Sequence, residues 1–172
     1  MTLHELEWLA DQASKASFIV ELGCWKGRST AALIDNSSGI VWTIDNWSGA
    51  TDPTDATSQE VRDRGSEMIL SEVLNTFAGD LKVNKLHIVE MDSVVGANYL
   101  LHTVGPMFDF IFIDGDHSYE RVLSEIKVCL KLLVPGGLIS GHDYGWLGVR
   151  NAVSETIQFA QNPVDSIWCG KT

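Results

Sequence analysis

Two apolar segments that each end in polar side chains decide the fold of this chain. The first reads Asp-Phe-Ile-Phe-Ile-Asp-Gly-Asp-His over residues 109–117, and the second reads Val-Pro-Gly-Gly-Leu-Ile-Ser-Gly-His-Asp-Tyr over residues 134–144. A helical segment, Tyr119 to Leu133, separates them, so we expect two parallel strands joined by a crossover helix. The carboxyl ends of parallel strands share one edge of the sheet, where open α/β sheets bind ligands. The pattern therefore predicts a site for a cation, a metal or a proton transfer, formed by Asp114, Asp116, His117, His142 and Asp143.

The alternation of strand and helix extends over the rest of the chain. Five apolar runs predict strands at Phe18–Leu22, Ile40–Ile44, Lys85–Val89, Phe108–Ile113 and Gly137–Ser140. This order is typical of a doubly wound, mainly parallel α/β sheet covered on both faces. The segment from Asn46 to Gln59, rich in Asp, Thr, Ser and Pro, is predicted to be a mobile loop, and Glu60 to Phe77 a helix broken at Gly65. The 172 residues suit one domain, 1–172, with one further short strand at Ser166–Cys169.

The composition limits the classes of partner. Twelve Lys and Arg against 23 Asp and Glu give a net charge of −11, which argues against a nucleic acid partner. No apolar run approaches the roughly 20 residues that span a bilayer, and the first residues lack a signal-peptide pattern. We therefore expect a cytoplasmic protein with no membrane partner. The three cysteines are scattered, which predicts neither a disulfide framework nor a zinc motif.

The first strand is followed by a turn with the pattern Glu21-x-Gly23-x-x-x-Gly27. Glycines allow a ligand to approach the backbone, and the N-terminus of the next helix, near Ser29, offers N–H groups to an anion. The Glu21 carboxylate would repel a pyrophosphate but attract an ammonium group. The alternative is a tight turn without a ligand.

Polar residues after the next two strands suit a nucleoside. Asp45 can accept both hydroxyls of a ribose, although it can equally be a solvated carboxylate at a strand end. Trp47 either lies against an adenine ring or packs in the interior. Asp92 and Ser93 offer an acceptor and a hydroxyl to the edge of adenine. The alternative, that one of them caps the following helix, is compatible with such binding.

In their order and spacing these features resemble the class I S-adenosylmethionine-dependent methyltransferases. The turn at residues 21–27, Asp45, Asp92-Ser93 and Asp114 follow that family's order, and Val-Pro-Gly-Gly at 134–137 is also typical of it. More closely, Ile-Asp-Gly-Asp-His-Ser-Tyr at 113–119 and Gly-His-Asp-Tyr at 141–144 resemble the small-molecule O-methyltransferase group that includes the macrocin and mycinamicin methyltransferases. The similarity spans residues from about 17 to 150.

The resemblance implies a Rossmann-like fold and methyl transfer from S-adenosylmethionine to a small-molecule, sugar-like hydroxyl. It implies that a divalent metal, Mg²⁺ or Mn²⁺, is bound by Asp114, His142 and Asp143, and that His117, with Asp116, takes the proton of the acceptor. The cofactor-binding residues would be Glu21, Gly23, Gly27, Ser29, Asp45, Trp47, Asp92, Ser93 and Asp114.

Two departures from the family pattern leave alternatives open. His142 stands where the family has a carboxylate, and imidazole binds Mg²⁺ poorly, so either the metal is softer or His142 is not a ligand. The C-terminal hairpin is expected to be shortened, and the sheet either lacks its sixth strand or is a minimal version. The open site leaves room for a large substrate or a partner subunit, so a homo-oligomer stays open. A nicotinamide oxidoreductase and a non-catalytic nucleoside-binding domain are the alternative functions.

Overall fold

The computed structural model describes residues 1–50 and 53–171. Over these residues it contains eight helices and seven strands. In chain order they are α1 (Leu3–Ala13), β1 (Phe18–Leu22), α2 (Arg28–Asn36), β2 (Ile40–Asp45), α3 (Ala56–Arg64), α4 (Ser66–Thr76), α5 (Ala78–Lys82), β3 (Leu86–Glu90), α6 (Ser93–Thr103), β4 (Phe108–Ile113), α7 (Tyr119–Leu132), β5 (Leu133–Gly141), α8 (Leu147–Thr156), β6 (Gln161–Val164) and β7 (Ile167–Lys171).

All seven strands belong to one sheet, with the order β3-β2-β1-β4-β5-β7-β6. The five strands from β1 to β5 pair in parallel, and β7 pairs antiparallel with both β5 and β6. The predicted Rossmann-like, doubly wound, mainly parallel sheet is therefore confirmed. Strand order reverses between β1 and β4, and at such a switch point the carboxyl ends of the strands leave a crevice for a ligand.

Helices cover both faces of the sheet because the central strands are apolar on both sides. On β1, Ile19 and Val20 are fully buried on opposite faces, each in a different cluster. One cluster packs the sheet against α6, α7 and α8, and the other packs it against α1, α2 and α4. No helix within the described ranges is long and apolar enough to cross a membrane.

The C-terminal hairpin is short but has two strands, so the option that the sheet lacks a strand was wrong. Strand β7 adds to β5, with Leu138 opposite Lys171, and β6 forms the outer edge. Strand β6 escaped the prediction because its residues are mostly exposed and include Pro163, so no apolar alternation marks it.

The segment predicted as a mobile loop is partly helical. Asp55 accepts a hydrogen bond from the backbone N–H of Thr57 at 2.7 Å and so caps α3. Within this segment, Thr51 and Asp52 lie outside the described residues. The predicted break at Gly65 is confirmed, since α3 and α4 meet there and Gly65 has a φ of 81°.

Candidate active site

An open cavity of about 670 Å³ lies at the carboxyl ends of β1, β2 and β4. This is the crevice that the strand order predicts. The predicted site residues that line it are Gly23, Asp45, Asp92, Ser93, Asp114, Asp116 and His117. Four others, Glu21, Gly27, Ser29 and Trp47, are buried behind the wall and do not line it.

The glycine turn after β1 packs closely against the end of β4, and hydrogen bonds to Asp45 fix its shape. Gly23 has a φ of 92°, and a Cβ added there would lie 2.2 Å from the carbonyl oxygen of Asp114. Asp45 Oδ2 accepts hydrogen bonds from the backbone N–H groups of Cys24 and Trp25 at 2.9 and 2.8 Å. Asp45 therefore shapes the turn and also presents its carboxylate in the cavity wall.

Glu21 is buried in the interior, which corrects the expectation that it faces an ammonium group directly. Its side chain is fully buried, and Oε2 accepts hydrogen bonds from Thr30 at 2.5 Å and Thr43 at 3.0 Å. Ser29 is also buried and interacts with Glu21, so its hydroxyl does not line the cavity. Burial raises the pKa of Glu21 from 4.5 to about 7, although the three hydroxyl groups favour its ionised form.

Trp47 packs in the core, which is the second of its two predicted roles; it does not line the cavity where an adenine ring would bind. It is 1% exposed, and its Nε1–H donates to the carbonyl oxygen of Trp25 at 2.8 Å. Trp25 lines the cavity instead. Gly27 is the N-cap residue of α2, with a φ of 81°, and the Phe77 ring lies where its Cβ would be. Trp25 could have been found from its place inside the glycine turn.

Asp92 caps α6, and both Asp92 and Ser93 line the cavity. Asp92 Oδ1 accepts from two backbone N–H groups of the first turn of α6, and Oδ2 pairs with Arg121. Ser93 donates to Glu125 and accepts from Arg121 at 2.8 Å. Arg121 and Glu125, one turn apart on α7, were missed, although their spacing after the Asp-Gly-Asp-His segment places them on one face. Burial raises the pKa of Glu125 to about 7, and Arg121 opposes the rise.

Beside the cavity, acids and imidazoles form a compact cluster. His142 Nδ1 lies 3.1 Å from Asp143 Oδ2 and 3.5 Å from Asp114 Oδ1. His117 Nε2 lies 2.7 Å from the same oxygen of Asp143. On its other side, His142 Nε2 lies 3.1 Å from Oε1 of Glu5, a residue of α1 that sequence reasoning missed. Asp114 and His117 belong to the cavity and to this cluster, so the two are continuous.

The cluster perturbs each of its members. Burial raises the pKa of Asp114, and the nearby charge of His142 opposes this rise. Burial also disfavours the charged form of His142, but Asp143, Asp114 and Glu5 outweigh it and raise its pKa to about 9. The pKa of Asp143 lies well below its usual range, because hydrogen bonds and charges from His117 and His142 outweigh burial.

The donor set fits a divalent metal. Asp114, His142 and Asp143 each offer one ligand atom, all within 4.8 Å of one another. Ligand atoms about 2.0–2.2 Å from a common ion lie roughly 3 Å apart, which agrees with the distances from His142 Nδ1. One imidazole and two carboxylates suit a first-row transition metal better than Mg²⁺.

His117 and Asp116 differ in their surroundings. The His117 side chain is 30% exposed, and its ring stacks on Trp146 with centroids 5.1 Å apart. Asp116 Oδ1 accepts from the backbone N–H of Ser118 at 2.6 Å, which shapes the turn into α7. His117 therefore contacts side chains of the site, Asp143 and Trp146, whereas Asp116 Oδ1 bonds the backbone of the turn. Trp146, 59% exposed beside it, carried no signal that sequence reasoning used.

Solved structures share this fold at low sequence identity. CalS11, a calicheamicin methyltransferase, is 17% identical with a TM-score of 0.73, covering 98% of this chain and 77% of its own. An O-methyltransferase from Bacillus cereus in complex with S-adenosylhomocysteine is 18% identical with a TM-score of 0.71, covering 100% and 82%. The methyltransferase PaMTH1 of Podospora anserina, also bound to S-adenosylhomocysteine, is 16% identical with a TM-score of 0.67, covering 98% and 78%.

The sequence matches a protein family, although no curated protein matches it. Residues 20–144 match the family described as Methyltransferase domain. This match covers most of the chain, so it favours a methyltransferase over the alternative of a nicotinamide oxidoreductase. The chain therefore belongs to this family of methyltransferases, and the resemblance to the class I S-adenosylmethionine-dependent enzymes is confirmed.

Proposed function

We propose that this methyltransferase transfers a methyl group from S-adenosylmethionine to a hydroxyl of a small, sugar-like molecule with the help of a divalent metal. The observation that carries the proposal is the continuity of two sites. Asp114 and His117 line the cavity under the switch point and also belong to the acid and imidazole cluster. A cofactor in the cavity would thus place its methyl group beside a general base.

The cavity suits a cationic nucleoside. Asp45 stands where a carboxylate accepts ribose hydroxyls, and Ser93 and Glu125 offer polar atoms further along the wall. Asp114 and Asp116 add carboxyl groups that complement a sulfonium and an ammonium group, and Asp92 offsets the charge of Arg121 in the same wall. Two structural neighbours hold S-adenosylhomocysteine, the product that S-adenosylmethionine leaves after transfer.

His117 would remove the proton of the acceptor. Its Nε2 faces Asp143, which orients the ring, so Nδ1 is the atom that would accept the proton. Asp114, His142 and Asp143 would hold the metal. A bound metal lowers the pKa of a coordinated hydroxyl, so that proton removal becomes possible near neutral pH.

Trp146 supports a sugar-like acceptor. One face of its indole covers the His117 ring, and more than half of the side chain is exposed. A flat, exposed aromatic surface beside the base gives the C–H face of a sugar ring a place to pack. CalS11, one of the structural neighbours, is a TDP-rhamnose 3′-O-methyltransferase.

The proposal also includes a cytoplasmic location, the absence of a nucleic acid partner and a homo-oligomeric state.

Calorimetry with S-adenosylhomocysteine and with NAD tests the identity of the cofactor. The chain should bind S-adenosylhomocysteine, and binding of NAD alone would contradict the proposed function. Transfer of a radiolabelled methyl group to TDP-rhamnose, with and without a chelator, tests acceptor and metal. Transfer that persists in chelator and in Asp114→Ala would exclude the role of the metal.

A further inference from the structure

The N-terminal helix places a buried carboxylate against the residue that departs from the family pattern. Glu5 on α1 is 1% exposed, and its Oε1 lies 3.1 Å from His142 Nε2. The other imidazole nitrogen of His142 faces Asp143 and Asp114. The ring thus lies between one carboxylate on its Nε2 side and two on its Nδ1 side.

The position of Glu5 is set by three separate parts of the chain. Its Oε2 accepts a hydrogen bond from the Thr2 backbone N–H at 2.6 Å, as part of a capping box. Its Oε1 accepts from the Ser166 backbone N–H at 2.9 Å, in the turn between β6 and β7. A residue that only capped α1 would need neither this burial nor the contact with His142.

This arrangement matches the way proteins prepare an imidazole to bind a metal. When a carboxylate accepts the N–H on one ring nitrogen, the other nitrogen is left with its lone pair and a fixed direction. Here Glu5 occupies the Nε2 side, and the Nδ1 side points at the two other ligand atoms. An imidazole in that role favours a transition metal, whereas a third carboxylate would favour Mg²⁺.

We infer that Glu5 is a positioning residue that makes His142 a metal ligand, so that the site selects a first-row transition metal ion over Mg²⁺. The inference rests on the proposed metal-assisted function and adds to it the class of metal. It also gives α1 a part in the site, because the helix supplies the carboxylate behind the ligand.

The test uses Co²⁺ as the probe, added to the full chain after chelation and followed by its visible absorption. The unaltered chain should bind Co²⁺ much more tightly than Mg²⁺. Glu5→Gln should weaken Co²⁺ binding about 10–100-fold, the usual effect of losing such a partner. Gln is accepted at this position of a capping box, so α1 should stay folded. Glu7→Gln, an exposed change on the same helix, is the control and should bind Co²⁺ normally.

A second variant keeps the inference testable if Glu5→Gln does not fold. His142→Asp restores an oxygen ligand, so its preference should shift towards Mg²⁺. The inference is overturned if the unaltered chain does not prefer Co²⁺, if Glu5→Gln binds Co²⁺ as the unaltered chain does, or if His142→Asp leaves the preference unchanged. Binding of S-adenosylhomocysteine is measured in parallel, so a failure of the proposed function shows as lost cofactor binding while the Co²⁺ result stands by itself.

Discussion

The buried carboxyl group of Glu21 makes stability depend on pH in a way that one substitution should remove. In the folded chain its pKa is raised from 4.5 to about 7, mainly by burial. Between these values the folded state binds a proton that the unfolded state does not, so stability falls as pH rises through that window. Above pH 7 the full penalty of a buried charge is present. Glu21→Gln keeps an acceptor for Thr30 and Thr43 and cannot ionise.

The size of the effect follows from the same two values. At about 1.4 kcal/mol for each pKa unit, a rise from 4.5 to about 7 corresponds to about 3 kcal/mol. The two proteins should have similar free energies of unfolding near pH 4.5. Near pH 8, Glu21→Gln should be the more stable by about 3 kcal/mol. Glu125, with its pKa also raised to about 7, contributes equally to both proteins and cancels in the difference.

Urea denaturation across this pH range measures the difference directly. Glu67→Gln, an exposed carboxylate removed from α4, is the control and should leave the pH profile unchanged. If the profiles of the unaltered chain and Glu21→Gln run parallel within about 1 kcal/mol, burial does not perturb Glu21 and the reasoning fails. Affinity for S-adenosylhomocysteine should also change little, because Glu21 does not line the cavity.

Three further substitutions test the site and the turn that shapes it. His117→Ala should lower kcat about 10²–10⁴-fold with little change in calorimetric affinity for S-adenosylhomocysteine, and an equal loss of both would make His117 structural. Trp146→Ala should raise the KM for a sugar acceptor more than it lowers kcat in steady-state assays, while Trp146→Phe keeps an aromatic face; no change in KM would remove Trp146 from the acceptor site. Gly23→Ala should cost about 3 kcal/mol in urea denaturation, because its φ is 92° and the new Cβ would lie 2.2 Å from a backbone oxygen. Gly79→Ala, with open space around it, is the matched control, and equal losses would show that Gly23 is not constrained.

The parallel sheet was predictable because the buried strands are continuous apolar runs with helices between them. Phe108–Ile113 is followed by a crossover helix, which predicts a parallel neighbouring strand, and parallel strands bring the polar residues after them to one edge of the sheet. Strand β6 was not predictable, since an exposed edge strand with a proline has no apolar period.

The residues that follow the strands were predictable, but which side of the cavity wall each one occupies was not. Asp45, Asp92 and Asp114 reach the cavity, as the strand ends imply. Glu21 and Ser29 sit next to the same glycine turn, yet the turn directs them into the interior. A motif records spacing along the chain, whereas exposure depends on what packs above each side chain.

By itself the sequence determined the mainly parallel sheet and the family, because periodicity and motif order are local properties of the chain. Only the tertiary structure decided the environment of His142. Glu5 belongs to the first helix and Ser166 to the last turn, and nothing in their spacing relates them to Gly-His-Asp-Tyr. They meet because α1 packs beside the C-terminal hairpin, and a contact between distant segments follows from packing rather than from any sequence pattern.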